Sequence, residues 1–376
     1  MNTRRKFGFA SLILVMMLML VLSACGNSQT ASNESAGTEP AVTEETAAPD
    51  AAAEEPAEEE APAEDAAAQD DTQYPVTIKS ALGDAVIEKK PERVVTIQWG
   101  NQDVALALGV VPVGFSAANF GVKDEDKGLL PWTKEKLDEL GATDPNVFQD
   151  TDGLDFEAIS DAKPDVILAA YSGITQEDYD TLSEIAPVVA YPTSPWTTKW
   201  REQIQLSAEG MGLKVEGDQL IADTEKLVSD KFAAYPQLKD KKIAWVNFSA
   251  DDLSKLHIYT PVDTRVSFLE EMGLTYPESI TSKITDPDSY SLELSAENAE
   301  ALNDVDIIVG YGDDKLYEAL KADPLLGKIP AIERGSVAFI AADTPLVAAG
   351  TPTPLSIAYT IDDYMKLLGA AADKVK

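Results

Sequence analysis

A single cysteine and a single histidine stand in 376 residues. One thiol cannot build a disulfide framework or a multi-thiolate metal site, so the fold must rest on its apolar core. One imidazole, His257, leaves a receptor for bare zinc or manganese short of its usual ligands. The same scarcity weighs against catalysis. Any Ser-His-Asp arrangement would hang on His257, no nucleophile-elbow glycine pattern frames a serine, and no glycine-rich phosphate loop follows a strand. The chain therefore reads as a non-enzyme. Bases are few as well, 30 Lys and Arg against 65 Asp and Glu, for a net charge of -35. That balance repels nucleic acid and anionic lipid alike.

What is present begins with Arg4, Arg5 and Lys6, followed by an apolar run over 9–22 that is too short and one-sided to span a membrane dependably. Residues 1–24 read as a signal peptide. The Arg4-Arg5 pair suggests twin-arginine export, but the long apolar run suits the ordinary secretory route better. Leu22-Ser23-Ala24-Cys25 resembles a lipobox, which implies acylation of Cys25 and an anchor on the outer face of the cell membrane, of Gram-positive type. Residues 26–73 hold fourteen acids and no Lys or Arg. Such a segment buries too little surface to offset chain entropy, so 25–73 reads as the lipidated Cys and a disordered tether.

The body keeps 51 acids against 27 bases and is long enough for two lobes. A hairpin around Gly83-Asp84 opens it. Apolar runs at 93–97, 111–115, 165–168 and 188–190, separated by helical patterns, predict a first α/β lobe over 74–214. Runs at 243–248, 306–309 and 337–340 predict a second over 239–376. Between them, Leu220, Ile221, Thr224, Leu227, Val228 and Phe232 follow the period of one amphipathic helix, placed in a connector over 215–238. The halves look alike. Phe156-Glu157-Ala158-Ile159 before Pro164-Asp165-Val166-Ile167 has a partner in Ala296-Glu297-Asn298-Ala299 before Val305-Asp306-Ile307-Ile308. The expected fold is two similar α/β lobes with mainly parallel sheets, joined by a single long helix.

With Pro91-Glu92-Arg93-Val94-Val95, Asp103 to Gly109, Ser183-Glu184-Ile185-Ala186-Pro187 and Val262-Asp263-Thr264-Arg265 in this order, the body resembles the siderophore and vitamin B12 binding proteins of ABC importers. The resemblance implies capture of a ferric siderophore between the lobes and delivery to the permease subunits of the importer. Iron then enters as the chelate, with no resident cofactor. It also implies that one Glu on each lobe, Glu157 and Glu297, pairs with basic sites on the permease. The alternative reading of each is an acid in the first turn of a helix, where the macrodipole favours it.

A chelate that wraps its own iron calls for an open bowl of aromatic side chains. Trp99, Trp132, Tyr171, Trp196, Tyr259 and Tyr311 fall at strand ends or in loops, where the crevices of such sheets lie. Trp200 and Trp245 fall inside elements and read as core. Arg265 is the candidate donor to chelator oxygens, since its planar fork suits charged oxygen acceptors. One pocket Arg favours a neutral or cationic hydroxamate complex over a triscatecholate. A haem receptor using His257 with Tyr259, a cobalamin receptor and a non-transport signalling lipoprotein remain as alternatives.

Overall fold

The computed structural model describes residues 72–150 and 152–375. The signal peptide, Cys25 and most of the tether lie outside them. No helix among the described residues is long and apolar enough to cross a membrane.

The expected hairpin pairs β1 (Val76–Lys79) with β2 (Asp84–Ile87), and Ser80 Oγ donates to Gly83 O across the turn at 2.6 Å. The first lobe follows, with β3 (Val94–Thr96), β4 (Gly114–Ser116), β5 (Val147–Phe148), β6 (Val166–Ala169) and β7 (Val188–Ala190) in the order β5-β4-β3-β6-β7. All its pairings are parallel. β3, β4, β6 and β7 are buried at every residue, as strands covered on both faces must be. The expected strand over 111–115 thus begins only at Gly114. Gly114 faces Phe148, whose ring would stand 2.2 Å from an added Cβ.

The second lobe contains β8 (Ile243–Ser249), β9 (Asp252–Tyr259), β10 (Ser291–Ser295), β11 (Ile307–Tyr311) and β12 (Val337–Ile340), ordered β10-β9-β8-β11-β12. Here β8, β11 and β12 run parallel, whereas β9 and β10 pair antiparallel. The lobes are alike in their parallel part and differ in these added antiparallel strands. Along β9 the side chains alternate: Leu256 and Ile258 are buried, Lys255 and His257 exposed. A sheet with one solvated face produces that pattern.

The repeat seen in the sequence has a physical counterpart. Asp165 Oδ1 accepts the Arg93 N–H at the start of β3 (2.9 Å), and Asp306 Oδ2 accepts the Lys242 N–H at the start of β8 (2.9 Å). In each lobe the carboxylate beside one strand fixes the register of its parallel neighbour. The helices before them differ. Asp155 caps Phe156–Asp161 by accepting the Ala158 N–H, while Ala296–Leu302 is a 3-10 segment broken at Asn298, without a side-chain cap.

One helix, Lys214–Ala233, joins the lobes; at about 1.5 Å per residue it spans roughly 30 Å. Its Leu220, Ile221, Leu227 and Phe232 pack on a buried cluster shared by Trp200 and Ile204 of the first lobe and Trp245, Ile357 and Leu368 of the second. On its outer side Arg201 donates to Glu225 of the connector and to Glu271 of the second lobe. The C-terminal helix, Pro354–Ala372, completes the shared core. Two lobes fused through one core and one stiff helix have little freedom to swing apart.

Candidate functional site

The C-terminal ends of β3, β4, β6 and β11 converge on an open cavity of about 430 Å³, and the end of β9 completes it. The first sheet changes direction at β3, with β4 on one side and β6 on the other, so a crevice forms beyond those strand ends. Chain geometry holds the first-lobe wall. Trp99 is flanked by left-handed Gln98 (φ 65) and Gly100 (φ 71). Asn101, fully buried, donates to Ile97 O (2.8 Å) and Tyr171 O (2.9 Å) and accepts the Tyr171 N–H (3.1 Å). That single amide fastens the loop carrying Trp99 to the loop carrying Tyr171. Trp196, itself at φ 63, lies edge-on to Tyr171 at 5.4 Å. Its indole covers Gly173, where an added Cβ would come within 2.3 Å of Nε1.

The second-lobe wall centres on Arg265 in the first turn of the helix Thr264–Glu271, whose N-cap is Asp263. Arg265 Nη1 donates to Asp263 Oδ2 at 2.9 Å and Nε to the Tyr311 hydroxyl at 3.2 Å. The guanidinium lies 4.5 Å from the Tyr259 ring centre, a cation–π distance. Behind the lining, Trp245 lies edge-on to Tyr311 and Tyr259 at 4.8 and 5.7 Å. Burial pushes the Asp263 carboxyl up, and Arg265 pulls it back. Burial alone would lower Arg265, yet Asp263 and the surrounding tyrosines hold it well above its ordinary value. Burial, aided by Asp263, pushes Tyr171 up to about 12, so it remains a neutral phenol.

Six of the seven expected binding residues line this cavity: Trp99, Tyr171, Trp196, Tyr259, Arg265 and Tyr311. Trp132 does not, which corrects its placement. It sits in the first turn of the helix Pro131–Glu139, 4% exposed, with Nε1 donating to Asp103 Oδ2 at 2.8 Å. Trp200 and Trp245 are buried, and neither lines the cavity. His257 stands on the solvent face of β9, 3.8 Å from Glu293, and is not a lining residue. Gln98, Ser116, Phe120, Asp150, Asp263, Tyr290 and Thr351 also line the cavity. Of these only Asp263 fell in a quoted motif; polar residues at strand ends otherwise resemble ordinary turns. Among the described residues no group of three or more His, Cys, Asp and Glu could hold a metal ion. Glu157 and Glu297 are exposed, one on each lobe.

Two α/β lobes on one connecting helix, with an aromatic cavity at the strand ends, define a two-lobed solute receptor. The family described as periplasmic binding protein matches residues 94–344, and the chain belongs to it. Among solved structures it is similar to PiaA of Streptococcus pneumoniae TIGR4 in complex with ferrichrome, 54% identical over 80% of this chain and 99% of that one, with a TM-score of 0.77. It is 28% identical to the probable siderophore-binding lipoprotein YfiY of Bacillus subtilis, over 66% of this chain and 70% of that protein. The ferric enterobactin-binding periplasmic protein FepB of Escherichia coli is 25% identical, over 72% of this chain and 85% of its own.

Proposed function

We propose that this chain is the extracytoplasmic binding component of an ABC importer, capturing a ferric siderophore of hydroxamate type between its lobes. One observation carries the reading: seven aromatic side chains wall the cavity, and Arg265 is its one base among the described lining residues. Rings suit the apolar flanks of a chelate that has already satisfied its iron, and one guanidinium suits the carbonyl oxygens at its face. A trianionic catecholate complex would need more positive charge than this wall offers. The similarity to PiaA, whose structure holds ferrichrome, points the same way.

Ferric trihydroxamate, triscatecholate and citrate complexes, offered to the purified body and followed by Trp fluorescence, test the reading. The trihydroxamate is expected to bind most tightly. Stoichiometric binding of bare ferric ion with none of the chelates would sink it. Trp99→Ala and Trp196→Ala are each expected to weaken binding by about 1–3 kcal/mol, the scale of a lost aromatic anchor. Unchanged Kd values in both variants would place the contacts elsewhere.

Export and lipidation at Cys25 belong to the same proposal, with residues 25–73 as the tether of a receptor held at the membrane; the lipoprotein YfiY supports it. Glu157 and Glu297 then serve as the docking carboxylates. Each is exposed in the first turn of its segment, at matching places in the two repeats. A two-fold importer offers two equivalent basic sites, and a pseudo-symmetric receptor can present one acid to each. The double variant Glu157→Arg with Glu297→Arg is expected to bind chelate normally while cellular uptake largely disappears, because like charges at an interface repel by about several kcal/mol. Normal uptake at wild-type surface levels would leave these acids only a helix-start role.

A further inference from the structure

The cavity's charge is unevenly placed, and we propose that Asp150 selects ferric chelates that carry a cationic amine, an inference resting on the chelate reading above. On the second-lobe wall Asp263 takes the Arg265 backbone N–H at 2.8 Å and its Nη1 at 2.9 Å, so the pair adds no net charge. On the first-lobe wall Asp150, just past β5, has no such counterpart: Arg265 is the one base among the described lining residues, and Asp263 already engages it. The unbalanced charge of the cavity is therefore this carboxylate.

Its orientation is set by the strand ends around it. The Gln98 N–H donates to Ser116 Oγ at 2.8 Å, and that hydroxyl in turn donates to Asp150 Oδ2. The left-handed turn at Gln98 aims its N–H at Ser116 and so turns the serine proton toward the acid. Oδ2 takes that bond and the carboxylate also accepts its own backbone N–H, which leaves lone pairs for a ligand donor. Half-burial raises the Asp150 carboxyl above its ordinary value, against the pull of the Ser116 bond, and nearby Asp155 adds to the rise. An arriving cation relieves that cost. A ferric trihydroxamate is neutral at its iron centre, so a pendant ammonium can meet Asp150 while the chelate's carbonyl oxygens meet Arg265.

The test compares the ferric complex of a linear trihydroxamate ending in a free primary amine with the same complex after that amine is acetylated. Both are titrated by Trp fluorescence. Wild type is expected to bind the amine form about tenfold more tightly, the scale of one charged hydrogen bond. Asp150→Asn should bring the two Kd values within about twofold by raising only that of the amine form. Retained binding of the acetylated form shows that the variant is folded. In wild type alone, the preference should also shrink as salt is raised. Equal affinities in wild type, a salt-independent preference, or an undiminished preference in Asp150→Asn would overturn the assignment. If neither complex binds wild type, the chelate reading falls with it. If both bind without preference, only the role of Asp150 is lost.

Discussion

Replacing Arg265 by alanine is expected to damage both stability and binding, and a second substitution should separate the two. The Arg265 side chain is 18% exposed and its partner Asp263 only 2%. Without the guanidinium, Asp263 keeps the backbone N–H of residue 265 and little else. Removing one member of a buried ion pair costs about 3–5 kcal/mol, because the remaining charge is left uncompensated. Chelate affinity should fall about a hundredfold, as expected when a charge-assisted donor at the centre of a site is lost. Adding Asp263→Asn to Arg265→Ala removes the stranded charge and should restore most of the stability in urea unfolding. It should not restore binding. Recovery of both together would mean that Arg265 acts only by holding the fold, and would remove it from the ligand's contacts.

The parts of this molecule legible in its sequence are those that repeat a simple physical rule. Strands buried on both faces are short apolar runs, and β3, β6, β7 and β8 stand where Val94-Val95, Val166-Ile167-Leu168, Val188-Val189 and Ile243 to Phe248 mark them. The connector was visible because one helix face must be apolar over twenty residues. The antiparallel pair β9 and β10 was missed although Leu256 and Ile258 alternate with Lys255 and His257 along β9. Its neighbours are polar, and an edge layer needs only one apolar side. The helix Pro131–Glu139 buries only Trp132, Thr133 and Leu137, too sparse a stripe to stand out, so Trp132 looked like a loop aromatic. Within the cavity, the rings at strand ends and the Trp residues stand out by size and rarity, whereas Phe120 and Tyr290, deeper in long loops, do not. Asp150, Ser116 and Gln98 acquire meaning only through three-dimensional neighbours, since an Asp, Ser or Gln past a strand is equally suited to a turn.

Asp103 shows what such neighbours can do, and its expected result is a stability that falls as pH rises. The residue is 1% exposed and sits in the helix just after Trp99. It accepts from Trp132 Nε1 at 2.8 Å, Thr133 Oγ1 at 2.9 Å and Thr353 Oγ1 at 2.6 Å. Thr353 caps the C-terminal helix directly after the segment that lines the cavity from the second lobe, so this carboxylate ties the two walls together. Burial pushes its pKa from 3.8 to about 6, with the three donors pulling back. Between those values the native chain holds a proton that the unfolded chain has released. Asp103 therefore favours folding most below its unfolded value, and that contribution is lost as pH rises through about 6. A shift of this size corresponds to about 3 kcal/mol. Urea unfolding of wild type and Asp103→Asn across this range should give stabilities that diverge by that order, the asparagine form gaining on wild type as pH rises. Parallel curves would show that the carboxyl does not titrate there. Asp103→Ala should be far worse, losing about 3–5 kcal/mol, because an indole N–H and two hydroxyls are left buried without their acceptor. An alanine variant as stable as the asparagine one would mean that these donors find other partners, and that Asp103 does not tie the two walls together.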